Sequence, residues 1–379
     1  MLRRQAVAAW LCALMLVPAW LPAAAQAPIQ SFDMAVLQAP VPVVVEGRQR
    51  LVYELHLTNF AAVELVLAGV RVIDADTAAV VARFAQDELA GRVHLAGNAA
   101  AASAMAPGTR VVVYLEFDGP GPLPQRLRHA VDFRQAGRSQ LATTEGARVA
   151  VGTVPGAMLG PPLRGGPWVA VHAPQWPRGH RRVFYTLDGR ARLPGRLAID
   201  WVRVDADGRS ARGDADVPAH ALGYGADVLA VADASVVALR DGIAESPSVS
   251  RNPPNPLDRA AGNYVVLRLP DGRHAVYEHL QPGSIRVQLG DRVQKGQVIG
   301  ALGFTGDSTG PHLHFHLADG PAVLGSEGLS YGLEGFRLLG HYRRIEALGS
   351  QPWDALDGRL AAERKGEFPA SNAVVEFPP

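Results

Sequence analysis

Apolar and polar positions alternate along much of this chain with the period of a β-strand. In Leu51-Val52-Tyr53-Glu54-Leu55-His56-Leu57, Val70-Arg71-Val72-Ile73 and Val111-Val112-Val113-Tyr114-Leu115-Glu116-Phe117, every second side chain is apolar. A strand with one buried face requires that spacing. Turn signals separate the runs: Thr58-Asn59, Met105-Ala106-Pro107-Gly108 and Asp118-Gly119-Pro120-Gly121,. Short strands so spaced predict an immunoglobulin-like β-sandwich over residues 28–155. Here His56 and His94 stand alone and read as surface or strand positions. Gly and Pro then become frequent, and residues 156–167 read as a linker.

From Trp168 the pattern is again strand-rich, and residues 168–345 read as a second all-β domain. Val228–Ala232 and Val236–Leu239 are short apolar runs around a turn. Asn263–Leu269 leads through Pro270-Asp271-Gly272 into His274–Leu280, a hairpin signal,. The segment from Ala244 to Gly262 holds four prolines and reads as an exposed loop. Val287–Gly300 alternates apolar residues with Gly at the turns and predicts a compact hairpin. Gly303–Gly310 reads as a flexible, polar approach to His312. Helical periodicity is confined to about Trp353–Lys365, and residues 346–379 read as a tail that is loosely ordered from Phe368. The fold class is therefore all-β.

Composition changes this picture at the N-terminus. Arg3 and Arg4, an apolar stretch to Leu21 and Ala23-Ala24-Ala25 give residues 1–25 the form of a cleaved secretory signal,. The expected product is exported, periplasmic or secreted. No other segment is long and apolar enough to span a bilayer. Cys12, the single cysteine, lies in that leader, so thiolate chemistry and disulfides are excluded from the mature chain,. Removing Arg3 and Arg4 leaves 35 basic against 36 acidic side chains. Nothing in that balance points to nucleic acid.

Chemistry concentrates in Gly310-Pro311-His312-Leu313-His314-Phe315-His316. Three histidines at alternate positions share one face of a strand,. Imidazoles in a row call for water, hydrogen bonds or a metal, and imidazole is both a common ligand and a proton carrier at neutral pH.

Several blocks together resemble the M23 peptidase family, the lysostaphin and LytM-type zinc endopeptidases of bacterial cell walls. They are Tyr277-Glu278-His279-Leu280, the Gly290-Asp291-x-Val293-x-x-Gly296-x-x-Ile299-Gly300 segment and Thr305–Phe315, with Ala198-Ile199-Asp200-Trp201 and Tyr224–Asp233 upstream. The resemblance covers about residues 180–325 and implies an antiparallel, lysostaphin-like sheet domain. It implies Zn2+ held by a His, an Asp four residues later and the second His of His-x-His. Asp200 and His314 match the last two as metal ligands. His279 and His312 match the catalytic histidines beside the metal. Three protein ligands leave one position for water. The implied reaction is hydrolysis of peptide bonds in cell-wall peptidoglycan, with peptidoglycan peptides as partners.

One position departs from the pattern. The first ligand is expected at residue 196, which is Arg196. A guanidinium stays protonated and cannot ligate. Three readings are open. Another histidine fills the gap, with His180, His220 and His316 as candidates. Or two ligands and water bind metal weakly. Or Arg196 pairs Asp200 in a domain that binds no metal and instead binds the wall or regulates a separate cell-wall amidase. His180, among Arg178, Arg181 and Arg182, and His220, in a polar loop, both read as surface positions. His316 reads equally as a partner of His314 or as a solvated strand residue. A lipoyl- or biotinyl-carrier reading of the Gly-Asp segment leaves the histidine strand unexplained.

Overall fold

Alternation does produce strands, and no α-helix occurs among the described residues. The computed structural model describes residues 29–96, 103–153, 157–173, 176, 179–357 and 362–379. The leader read over residues 1–25 lies outside them. Residues 31–379 form one unit.

Two five-stranded antiparallel sheets make the N-terminal part. In one, Arg48–Asn59 lies between Phe32–Ala35 and Arg110–Asp118. In the other, Leu65–Asp74 lies between Val80–Ala85 and Arg126–Gln135. Leu51, Tyr53, Leu55 and Leu57 point into the core between them. On the facing sheet the buried positions run Leu65, Leu67, then Val70, Val72. A register shift between Leu67 and Gly69 changes the parity, as a β-bulge does.

The outer face of Arg48–Asn59 is not wet. Val52, Glu54 and His56 are buried, and His94 is buried as well. His56 and His94 are thus strand positions, as read, but buried ones and not surface ones. Val43, Val45 and Val52 belong to the same apolar core as Trp168, Trp201, Phe315 and Tyr331, so later parts of the chain cover that face.

Those later parts form an eleven-stranded sheet. At its centre, in spatial order, lie Asn263–Arg268, His274–Leu280, Leu313–Ala318, Ile199–Arg203, Trp168–Val171 and Ala373–Glu376, each antiparallel to its neighbour. The hairpin read at 263–280 is present.

Four local expectations differ. Val287–Gly300 does not fold on itself. Arg292–Val293 pairs with Ala234–Ser235, while Val298–Ala301 pairs with Asp227–Leu229 in a separate small sheet. The two turns dock on each other instead, through Gly296 N donating to Ala230 O at 2.8 Å and Ala230 N to Gln297 O at 2.9 Å. The Gly- and Pro-rich stretch after residue 156 is anchored, because Leu159 and Leu163 are core residues. The helical periodicity at 353–365 becomes two short edge strands, Asp354–Ala355 and Glu363–Arg364, around residues outside the description. The C-terminal end is built in. Val374 and Val375 are fully buried because their strand lies between two others of the sheet.

Candidate metal and catalytic site

The sheet register aligns the chemistry. Asp200 is the cross-strand partner of His314, and His314 on its other side is the partner of Glu278. Three residues far apart in sequence thus form one row across three strands, and a row shares a face. His314 Nδ1 lies 2.9 Å from Asp200 Oδ1. Its Nε2 lies 3.1 Å from His316 Nδ1 and 3.6 Å from Glu278 Oε1. His316 is 1% exposed, so its solvated reading is corrected; it backs the His314 ring.

His279 joins from the end of its strand. The ladder there has a bulge, with a register shift between Asn263 and Val265, and His279 has a φ of 64°. That left-handed residue breaks the strand's alternation. Glu278 and His279, consecutive in sequence, consequently both reach the cluster. The rings of His279 and His312 are 4.9 Å apart, and those of His279 and His314 6.0 Å. The approach loop is packed rather than flexible. Thr305 is fully buried, and a Cβ on Gly306 would sit 2.4 Å from Ala260 O.

Tautomers follow from the acceptors. His279 Nδ1 lies 2.7 Å from the Thr305 carbonyl, and His312 Nδ1 lies 2.7 Å from the Gly310 carbonyl. A carbonyl only accepts, so both Nδ1 atoms carry hydrogen. Each Nε2 is left for proton exchange. That of His312 is 3.3 Å from Asp200 Oδ1.

Arg196 does not pair with Asp200. Its Nε donates to Glu54 Oε2 at 2.7 Å, its Nη1 to Gly328 O at 2.8 Å and its Nη2 to Glu327. His180 occupies the vacancy beside Asp200, with Nε2 2.7 Å from Asp200 Oδ2 and its ring 4.5 Å from that of His314. His180 keeps 38% of its side chain exposed, as a surface position would, yet it faces Asp200. Arg181 and Arg182 turn away from the cluster, Arg181 into a buried pair with Glu54 and Arg182 onto the Tyr114 ring at 3.7 Å. Gly195 is the sequence signal that was available: a Cβ there would meet His180 Cβ at 2.5 Å, so glycine lets the two segments touch. His220 is exposed and bonds the Asp214 carbonyl at 3.0 Å; it takes no part in this cluster.

Donor atoms of His180, Asp200 and His314 all lie within 4.8 Å of one another. Two imidazoles and a carboxylate suit zinc, which takes nitrogen and oxygen ligands. The electrostatics agree. Burial pushes the Asp200 carboxyl up, but the imidazoles of His180 and His312 outweigh it and hold Asp200 well below the usual carboxylate range. Burial, with His180 adding to it, brings His314 down to about 4. Burial and its histidine neighbours lower His279 well below the ordinary range too. Both rings are therefore neutral near pH 7, the form that ligates or accepts a proton. His312 is raised, because Asp200 outweighs its burial. Glu278 is pushed well above the ordinary range by burial, and Asp200 adds to this.

A cavity of about 400 Å³ opens on the cluster. Its lining includes His180, Asp200, His279 and His312, with Val45 and Arg50 from the sandwich and Phe368 from the C-terminal end.

Residues 221–323 match the model of Peptidase family M23. That span includes His279, His312 and His314; Asp200 and His180 precede it. A peptidoglycan DD-endopeptidase of Vibrio cholerae, ShyC, is 33% identical over 137 residues, covering 35% of this chain and 29% of that protein. The glycyl-glycine endopeptidase ALE-1 of Staphylococcus capitis is 51% identical over 55 residues, 14% of this chain and 15% of that protein. This chain thus spans under a third of each of these relatives. Among solved structures, the lysostaphin catalytic domain of Staphylococcus simulans is 20% identical, with a TM-score of 0.24, over 44% of this chain and 88% of that one. A zinc-containing peptidase from Vibrio cholerae is 16% identical, with a TM-score of 0.26, over 76% and 83%.

Proposed function

From the premise that this chain carries a peptidase family M23 domain, we propose that it is a zinc-dependent endopeptidase acting on peptide bonds of bacterial cell-wall peptidoglycan. The reading rests most on one observation: His180, Asp200 and His314 bring three zinc-type donors together, although the position four residues before Asp200 is an arginine. These three residues would hold the ion, whose chemistry there would be an acidified water and a polarised scissile carbonyl.

The remaining residues are assigned by geometry. His279 and His312 are the catalytic pair, each fixed through Nδ1 to a backbone carbonyl, with Nε2 left to take or give a proton,. Glu278 and His316 hold the far edge of the His314 ring, as outer partners of a metal ligand do. The substrate peptide lies along the cavity beside His180 and His312. In this reading residues 28–155 are a sandwich domain, the peptidase domain starts at 168 and runs past 345 to include the strand Ala373–Glu376, and the leader at 1–25 directs export to the periplasm or beyond.

The competing regulator reading stands on Arg196, but the guanidinium turned toward Glu54 and the imidazole of His180 in its place favour the enzyme. The deciding experiment measures metal content and release of fragments from purified peptidoglycan. One zinc per chain, with hydrolysis abolished by chelator and restored by zinc, is expected. A folded, metal-free protein that releases nothing but stimulates a wall amidase overturns the proposal.

A further inference from the structure

The sandwich contributes to the site through an ion cluster that no part of the proposed chemistry uses. Glu54 sits on the outer face of the strand Arg48–Asn59 and is 3% exposed. It accepts from Arg181 Nε at 2.8 Å and from Arg196 Nε at 2.7 Å. Arg181 Nη2 also donates to the carbonyls of Tyr53 and Leu115, both at 2.9 Å. Arg182 donates to the Gly91 carbonyl at 2.9 Å. The two residues directly after His180 are thus plugged into the sandwich. Arg196 pairs with Glu327 as well, and Arg181 Nη1 also lies 3.6 Å from Glu116 Oε2, so the two arginines face three glutamates.

We infer that Glu54 and Arg181 are positioning residues of the metal site, holding the turn that presents His180 to Asp200. The inference rests on the zinc reading above. Its physical basis is the shortness of the turn: His180–Arg182 is a single turn of 3-10 helix with no side-chain cap. A turn so short does not hold itself in place. What fixes it is Arg181 in the sandwich on one side and the close approach of Gly195 on the other. Asp200 and His314, in contrast, sit on paired strands of the sheet. Arg196 stands where the resemblance puts a ligand, yet serves as a second anchor to the same carboxylate. One ligand of the site is therefore supplied through the sandwich.

The test is a binding cycle on the full chain. Zinc affinity is measured by competition with a chromogenic chelator, and Co2+ substitution reports coordination through its visible absorption. The variants are Arg181→Met, Glu54→Gln, His180→Ala and the double variant His180→Ala/Arg181→Met, each confirmed folded by circular dichroism. Arg181→Met is the milder change, since Glu54 keeps Arg196. Both Arg181→Met and Glu54→Gln are expected to weaken zinc binding by about ten- to a hundredfold and to change the visible absorption of the Co2+ form, while His180→Ala is expected to lose zinc with or without Arg181→Met. Ser330→Ala breaks another bond to the sandwich, to Val41 O at 2.7 Å, and should leave affinity unchanged. Wild-type affinity and spectrum in Arg181→Met and Glu54→Gln, with zinc lost in His180→Ala, would overturn this inference and leave the zinc reading intact. A wild-type chain that binds no metal sinks both.

Discussion

The sandwich and the histidine-bearing sheet both bury imidazoles, and the partners differ. In the sandwich, His129 lies between Tyr53 Oη at 2.8 Å and the Ala147 carbonyl at 3.0 Å. Both ring nitrogens are satisfied by groups that stay neutral near pH 7. In the sheet, His314 lies between a carboxylate and another imidazole, and His180, His279 and His312 crowd the same spot. Those partners are themselves ionisable, so the arrangement stays open to a proton or a cation. Burial alone does not mark a functional histidine; the company it keeps does.

Breaking the sheet cluster should have the largest effect. His314→Ala or His180→Ala is expected to lose bound zinc and bring peptidoglycan hydrolysis to background, measured by metal analysis and fragment release. Metal retained in His180→Ala would move the third ligand elsewhere. His279→Ala should keep zinc but lower kcat by about 10²–10⁴-fold, separating the proton carrier from the ligands. In the sandwich, His129→Leu should leave zinc and kcat alone. It strands the Tyr53 hydroxyl and the Ala147 carbonyl, and denaturant unfolding should show a loss of about 1–3 kcal/mol for each.

Acid sharpens the contrast. Burial brings His129 down from 6.5 to about 4. The unfolded chain therefore binds the proton first. The stability from this group is complete above about pH 6.5 and lost as pH falls toward 4, amounting to about 3 kcal/mol. Unfolding curves between pH 7 and 4.5 should be less steep in pH for His129→Leu than for wild type. An unchanged slope would assign the acid sensitivity to other groups. The smallest effect belongs to exposed His220, where alanine should change stability by less than about 0.5 kcal/mol and leave metal content intact.

Local pattern made much of this legible. Period-two alternation identified the strands, the turn residues located the 263–280 hairpin, and the strand Leu313–Ala318 carries His314 and His316, with His312 just ahead of it. Errors came where tertiary packing reversed a local rule. Val374 and Val375 looked like a loose end because a strand of four residues, Ala373–Glu376, carries no signal of the sheet that receives it. Glu54 and His56 looked wet because their strand alternates, yet a second layer covers its outer face. Glu278 shows no local sign of its place at the site, because a regular strand would point it away from His279; the bulge brings both to one side.

The chain by itself determined the β-architecture and the histidine strand, since both arise from side-chain period and need no distant partner. It could not determine which group stands beside Asp200. That depended on a close approach at Gly195 and on a glutamate more than a hundred residues upstream drawing Arg181 and Arg196 aside. Contacts between segments so far apart are set by packing and charge pairing across the folded protein, and no local spacing encodes them.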